Sequence, residues 1–488
     1  MLFNSYLFIL LFLPAVLAVY FVLIRLGQRA APKAWLALAS LFFYGWWNVK
    51  YLPLLLGSVA FNFAAARLLL RTAGGRRKAV LIIGICANAA LLGYFKYADF
   101  FLANVNQLFG ARAALVRVIL PLGISFFTFT QIAWLVDAWK GGIKRVSALN
   151  YLLFVTYFPH LLAGPIIHHR EMMPQFDKIG DRGVDWRNLS VGVYLFAIGL
   201  FKKAVVADAF AAFADKGFNA AAALPFSEAW LASLSYTAQL YFDFSGYTDM
   251  ALGASFMFNL VLPPNFNSPY KAASVQDFWR RWHITLSRFL REYVYIPLGG
   301  NRAGEGRVLV NLMIVFVIGG IWHGAGWLFI AWGALHGAAI CVERLWERLH
   351  IRLPRLIAWF LTFNFVSAAW IFFRAGSYDS AMRILKGMSG MGGFDLKAAD
   401  FVGLYSALLR EYGAAWASVY YLAHMLTNPF LMLAAAFAAV FLAGNSNEMA
   451  GPLQPSARRA AFAAFLIFTS LLYMFFADKP SEFIYFNF

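Results

Sequence analysis

Apolar residues in this chain fall in long uninterrupted blocks, and most charged residues fall in the short stretches between them. The blocks lie near 2–24, 34–47, 52–70, 79–97, 115–137, 190–213, 227–262, 308–325, 327–342, 356–373, 428–443 and 460–477. An apolar run of roughly 18 residues or more suits a helix that crosses a bilayer, where every backbone polar group must find its partner within the segment. The pattern therefore predicts an all-α polytopic membrane protein with about 11–12 transmembrane helices. The block at 34–47 is short, and 227–262 reads as one helix plus a re-entrant piece or as a single long helix. The first block has no basic leader and no small-residue cleavage site, so it reads as a retained helix rather than a signal peptide.

Charge orients these blocks. Loops carrying Arg25, Arg29 and Lys33, then Arg71, Arg76, Arg77 and Lys78, then Lys140, Lys144 and Arg145 are assigned to the cytoplasm, as basic loops usually are. Loop 343–355 and the pair Arg458/Arg459 agree with that parity, which leaves both termini outside the cytoplasm. Segment 147–167 has basic loops on both sides and contains Pro159 and Gly164-Pro165, so it reads as a re-entrant segment lined by protein. Segment 376–426 is the largest outer loop, and 263–307 is a cytoplasmic-side insertion. With no tandem repeat or low-complexity linker, residues 1–488 read as one domain.

The composition is 62% hydrophobic and 13% charged, with a formal charge of +18, which excludes an ordinary soluble domain. The basic residues belong to short loops that meet anionic lipid headgroups, so the charge does not point to nucleic acid. Cys86 and Cys341 both sit in apolar blocks and imply neither a disulfide framework nor a zinc site. No metal site, phosphate loop, nucleotide fingerprint or Gly-x-Ser-x-Gly elbow is present in the sequence.

Against this background a few polar residues stand out. The 308–342 region contains no charged residue but two histidines, His323 and His336, the first crowded by Gly319, Gly320, Gly324, Ala325 and Gly326. An ionisable side chain at membrane depth is a functional candidate by default, with packing as the alternative. In 263–307, Ser274 followed by Asp277 marks a helix start. At about 100° per residue, Arg280, Arg281, Arg288 and Arg291 share one face, and Trp279, His283, Leu286 and Leu290 the other. That face suits either lipid headgroups or a phosphate-bearing substrate, and both readings stay open. Asp243 and Asp249 lie in or near a span; a hydrogen-bonded turn around Ser245-Gly246 is the preferred reading and an ion pathway the alternative. Lys202-Lys203 and Asp208 read as a buried or interfacial pair, and His168-His169 as a solvated loop. The final SEFIYFNF reads at this point as an aromatic anchor at the membrane surface, or else as a segment inserted into the protein.

Taken together, YFPHLLAGPI (157–166), YFDFSGYTDMALG (241–253), NFNSPY (265–270), FWRRWHITLSRFLREYVYIPLGGNR (278–302) and GGIWHGAGWLFIAWGALHG (319–337) resemble the membrane-bound O-acyltransferases. The likeness covers nearly the whole chain and is to the bacterial subgroup of the alginate O-acetylation membrane subunit, with peptidoglycan O-acetylation and teichoic acid D-alanylation proteins as relatives. It implies a helical ring around a tunnel, with His323 as the essential histidine and His283 as the second functional position. Trp322, Asp243 and His336 are then tunnel or structural residues. The resemblance also turns FIYFNF into a candidate acyl-carrying motif centred on Tyr485. His168-His169 depart from the residues that relatives often carry after the Gly-Pro.

What the resemblance implies chemically is transfer of an acetyl group from cytosolic acetyl-CoA, a substrate rather than a bound cofactor, across a bacterial inner membrane. The donor phosphates are expected near Arg280, Arg281, Arg288 and Arg291. A neutral His323 would accept the proton of Tyr485, and a periplasmic SGNH-hydrolase-like acetyltransferase would pass the group to a polysaccharide such as alginate. That partner is expected because this chain shows no serine triad of its own. The alternatives are a transporter or flippase without acyl chemistry, a family member with a lipid or protein acceptor, and direct attack by the polymer without a tyrosine relay.

Overall fold

The computed structural model describes residues 1–145, 147–181, 183–302, 304–394, 428–451, 455–476 and 482–487. Among the described residues every regular element is a helix. Eight helices are long and apolar enough to cross a membrane: Leu7–Arg25, Val49–Arg71, Gly74–Phe109, Trp186–Phe218, Glu305–His323, Trp327–Glu347, Arg355–Arg374 and Ala457–Phe476. Of the remaining apolar blocks, three are helical as Ala31–Gly45, Phe226–Met257 and Pro429–Leu442, whereas the block at 115–137 is irregular over 115–123 and helical only as Ile124–Trp139. Most of the predicted outer loop at 376–426 lies outside the described residues.

Nine helices build the centre: α1 (Gly74–Phe109), α2 (Ile124–Trp139), α3 (Trp186–Phe218), α4 (Phe226–Met257), α5 (Val275–Arg281), α6 (Ile284–Leu290), α7 (Glu305–His323), α8 (Trp327–Glu347) and α9 (Arg355–Arg374). Helix α4 is the pillar, and every residue from Ser235 to Ser255 is buried. It is one continuous helix, so neither a re-entrant piece nor a turn at Ser245-Gly246 exists there. Gly246 instead serves packing. A Cβ on it would lie 2.7 Å from the Gly199 carbonyl oxygen, so α3 and α4 touch backbone to backbone, as small residues allow between membrane helices.

A second close crossing joins α7 to α8. A Cβ on Gly320 would meet the Phe329 carbonyl oxygen at 2.3 Å, and one on Gly333 would meet the Phe316 carbonyl oxygen at 2.4 Å. This contact brings the end of α7, with His323 as its last residue, against the aromatic start of α8. Residues 148–161 form two short helices broken at Tyr157, with the following extended stretch buried through Ile167. Buried irregular backbone of this kind at membrane depth is tolerated only when protein surrounds it.

The insertion departs from the predicted single amphipathic helix. Ser274 does cap α5, its hydroxyl accepting from the Asp277 N–H at 3.1 Å. The helix then breaks at Trp282-His283, where His283 takes a left-handed backbone conformation (φ 43°) and α6 restarts. A 100° step cannot be carried through such a break, so the arginines do not form one collar. Arg288 pairs with Glu171, and Arg281 pairs with Asp277 at 2.9 Å. The predicted solvated loop at His168-His169 is in fact buried. His169 Nδ1 lies 2.9 Å from Asp137 Oδ2, Tyr293 donates its hydroxyl proton to the same carboxylate at 3.0 Å, and His168 Nδ1 lies 3.2 Å from that hydroxyl. Burial first, then the Arg288 guanidinium, lowers the His168 pKa from its usual value.

Candidate active site

His323 is 3% exposed and stands in an aromatic cage. Ring centres of Trp322, Trp332, Phe373 and Tyr485 lie 4.9, 5.0, 5.1 and 5.6 Å from its own. Its Nδ1 is buried and has no hydrogen-bond partner among the described residues. The backbone there is held from α1. Lys96 Nζ donates to the Trp322 carbonyl at 2.6 Å and to the His323 carbonyl at 3.0 Å. The last carbonyls of a helix have no intrahelical donor, and the Lys96 side chain supplies one. Nothing in the sequence distinguishes Lys96, because a lone lysine near the end of an apolar block looks like any helix-flanking residue.

His283 lies close by, fully buried. Its ring centre lies 6.3 Å from that of His323 and 6.4 Å from that of Tyr485. Asn265 Oδ1 lies 3.2 Å from His283 Nδ1 and also accepts from the Thr285 N–H and hydroxyl. An amide oxygen only accepts, so His283 Nδ1 carries the proton, and its buried Nε2, without a partner among the described residues, keeps a lone pair. Asn265 is thus a second residue that the sequence reading missed, visible there only as part of NFNSPY. His336 is different. Trp279 Nε1–H donates to His336 Nδ1 at 3.2 Å, and Trp332, Phe365 and Phe316 surround the ring, so His336 packs α8 against α5.

Two cavities meet at His323. One, of about 230 Å³, is lined by Trp279, Arg280, Leu286, Leu290, Arg291, Gly319 and Trp332 as well as His323. Of the four arginines proposed from the helical wheel, only Arg280 and Arg291 line it. Arg291 also borders a surface cavity of about 470 Å³ with Tyr295, Asn301 and Arg302. The other cavity at His323, of about 450 Å³, is lined by Lys96, Ser125, Trp322, Tyr485, Phe486 and the N-terminal residues Met1 and Leu2.

The C-terminal segment is inserted rather than anchored at the surface. Phe483 and Tyr485 are buried, and Ile484–Asn487 forms one turn of 3-10 helix. Tyr485 packs on Phe244 of α4 with ring centres 4.4 Å apart. Asp243, the preceding residue, accepts from the Ile484 N–H at 3.0 Å and pairs with Lys203 at 2.6 Å. Asp249 pairs with Lys202 at 2.7 Å. The structure thus brings His323, His283, Trp322 and Tyr485 together and leaves His336, Arg281 and Arg288 outside.

Comparison with known proteins gives the family. Residues 112–375 match the profile of MBOAT, the membrane-bound O-acyltransferase family. The chain is 46% identical to a peptidoglycan O-acetyltransferase of Helicobacter pylori, over 100% of this chain and 98% of that one. It is 39% identical to a probable alginate O-acetylase of Pseudomonas aeruginosa, over 83% and 78% of the two chains. A teichoic acid D-alanyltransferase of Bacillus subtilis is 28% identical over 52% of this chain and 68% of its own.

Proposed function

The chain belongs to the membrane-bound O-acyltransferase family and is a multi-pass membrane acyltransferase, and from that premise we propose that it carries an acetyl group across a bacterial inner membrane for O-acetylation of a cell-wall polysaccharide. The observation that carries this reading is the position of His323 between two cavities, one rimmed by Arg280 and Arg291 and the other containing Tyr485. A donor on the basic side and an acceptor on the opposite side can then meet at one imidazole.

In this reading acetyl-CoA enters from the cytoplasm, with its phosphates against Arg280, Arg291 and Arg302 and its acyl arm in the 230 Å³ cavity. A phenol titrates near pH 10, so at neutral pH only about one tyrosine in 10³ is ionised without help. His323 takes the Tyr485 proton as the phenol oxygen attacks the thioester carbonyl. The new C–O bond replaces the C–S bond, and the proton passes to the departing CoA thiolate. General-base assistance of this kind contributes roughly 10²–10⁴ in rate. His283, with its tautomer set by Asn265, serves as a second proton acceptor beside the reacting atoms. A serine on a periplasmic SGNH-hydrolase-like partner then attacks the acetyl-tyrosine through the 450 Å³ cavity, restoring Tyr485. Full-length similarity to a peptidoglycan enzyme favours peptidoglycan over alginate as the polymer.

The test is mass spectrometry of residue 485 together with polymer O-acetyl content. Wild-type protein supplied with acetyl-CoA is expected to carry acetyl on Tyr485, and His323→Ala and Tyr485→Phe are each expected to lose polymer acetylation while still inserting into the membrane. Retained acetylation in Tyr485→Phe would replace the relay with direct attack by the acceptor. Retention in His323→Ala would remove His323 from the chemistry.

A further inference from the structure

Lys203 on α3 and Asp243 on α4 are 2% and 1% exposed, and their charged atoms lie 2.6 Å apart. An ion pair in so apolar a place is favourable only when its remaining hydrogen-bonding capacity is also used, because desolvation offsets much of the attraction. Asp208 supplies one further contact, 3.0 Å from Lys203 Nζ. Others come from the C-terminal segment, and they come from its main chain. Ile484 N–H donates to Asp243 Oδ2 at 3.0 Å, and Lys203 Nζ donates to the Glu482 carbonyl at 3.2 Å.

The side chains between and beside these contacts fill ring pockets on α4. Phe483 stacks on Tyr247 with centres 4.4 Å apart, and Phe244 contacts both Phe483 and Tyr485 at 5.6 and 4.4 Å. We propose that Lys203, Asp243 and Asp208 form a main-chain socket that docks the C-terminal segment and sets its register, so that residue 485 and no neighbour faces His323. The purpose of the socket rests on the reading of Tyr485 as acyl acceptor. A slip of one residue would place Ile484 or Phe486 at the imidazole, and neither carries a hydroxyl. Lys203 and Asp243 are accordingly positioning residues, acting on the reaction only through the segment they hold.

The discriminating change is Ile484→Pro, which deletes the backbone N–H that Ile484 donates to Asp243. Proline is well suited to the first position of a helical turn, and no residue of the bundle is altered. Ile484→Ala keeps the N–H and removes most of the side chain. Both are placed in full-length protein carrying Tyr485→Cys, Cys86→Ser and Cys341→Ser, and the rate of reaction of residue 485 with a membrane-impermeant maleimide is measured. A charge-assisted hydrogen bond lost from a docked segment corresponds to a rise of about tenfold or more in labelling. We expect that rise for Ile484→Pro and little change for Ile484→Ala. The double variant Lys203→Met/Asp243→Leu removes the fully buried pair together, leaving only the half-buried Asp208 carboxylate of the socket, and it should label as fast as Ile484→Pro.

Labelling of Ile484→Pro no faster than of Ile484→Ala would overturn the socket and leave Lys203–Asp243 as a bond between helices only. The assay reads docking without chemistry. If labelling rises as expected while no acetyl group is found on Tyr485 of the wild-type protein, the socket stands and the acyl-tyrosine step falls.

Discussion

A single lysine holds the backbone at His323, the residue proposed to take the proton. Lys96 reaches two terminal carbonyls of α7, one of them belonging to His323 itself, so the imidazole is placed through its own backbone. A hydrogen bond contributes about 0.5–1.5 kcal/mol, and a catalytic group displaced by about 1 Å loses about 10²-fold in rate. Lys96→Met should therefore slow acetyl-Tyr485 formation by roughly 10–100-fold with the protein still inserted and folded, followed as the time course of residue 485 acetylation. An unchanged rate would show that the helix packing at Gly320 and Gly333 is enough to hold His323. Asn265 works in the same manner on His283, by fixing which ring nitrogen keeps the lone pair.

At the level of elements, the break between α5 and α6 decides what the arginines do. Arg280 and Arg291 flank the cavity that ends at His323, while Arg288 is committed to Glu171. The two groups should respond differently to truncation. Arg291→Ala is expected to raise the KM for acetyl-CoA by about tenfold, the low end for a lost charge-assisted contact, with kcat little changed. Arg288→Ala should leave KM near its starting value and lower the melting temperature, since Glu171 loses its partner. Steady-state kinetics and thermal unfolding of the two variants separate these outcomes, and equal KM values would return Arg291 to headgroup binding.

For the whole molecule, the proposed transfer makes sidedness the central property. The smaller one opens among arginines of the insertion, and the larger one is closed in part by the C-terminal turn and the N-terminal residues. Supplying acetyl-CoA to sealed vesicles tests the direction of transfer. Inside-out vesicles should acetylate Tyr485 from externally added donor, and right-side-out vesicles should not. Equal labelling from both faces would rule out a donor entry confined to the basic side.

The hydropathy blocks, the glycines beside His323 and the aromatic C-terminal octet were legible in the sequence because each is a local pattern: length, crowding and composition are read within a few turns. Those patterns determined a helical membrane protein and singled out His323. The family resemblance added His283 and Tyr485 as candidates. The rest depended on partners distant along the chain. Asp243 and Ile484 are 241 positions apart, and Lys96 and His323 are 227 apart. No local period encodes such pairs. The helical wheel over 275–291 failed for a related reason, since one left-handed residue at His283 reset its phase. His168-His169 looked solvated because adjacent histidines beside Arg170 and Glu171 are polar, yet Asp137 and Tyr293 fold over them. Sequence alone determined which residues are costly to bury in a membrane. Only the tertiary structure decided what offsets that cost, because the partner of a buried charge is chosen by helix packing and not by its neighbours in the chain.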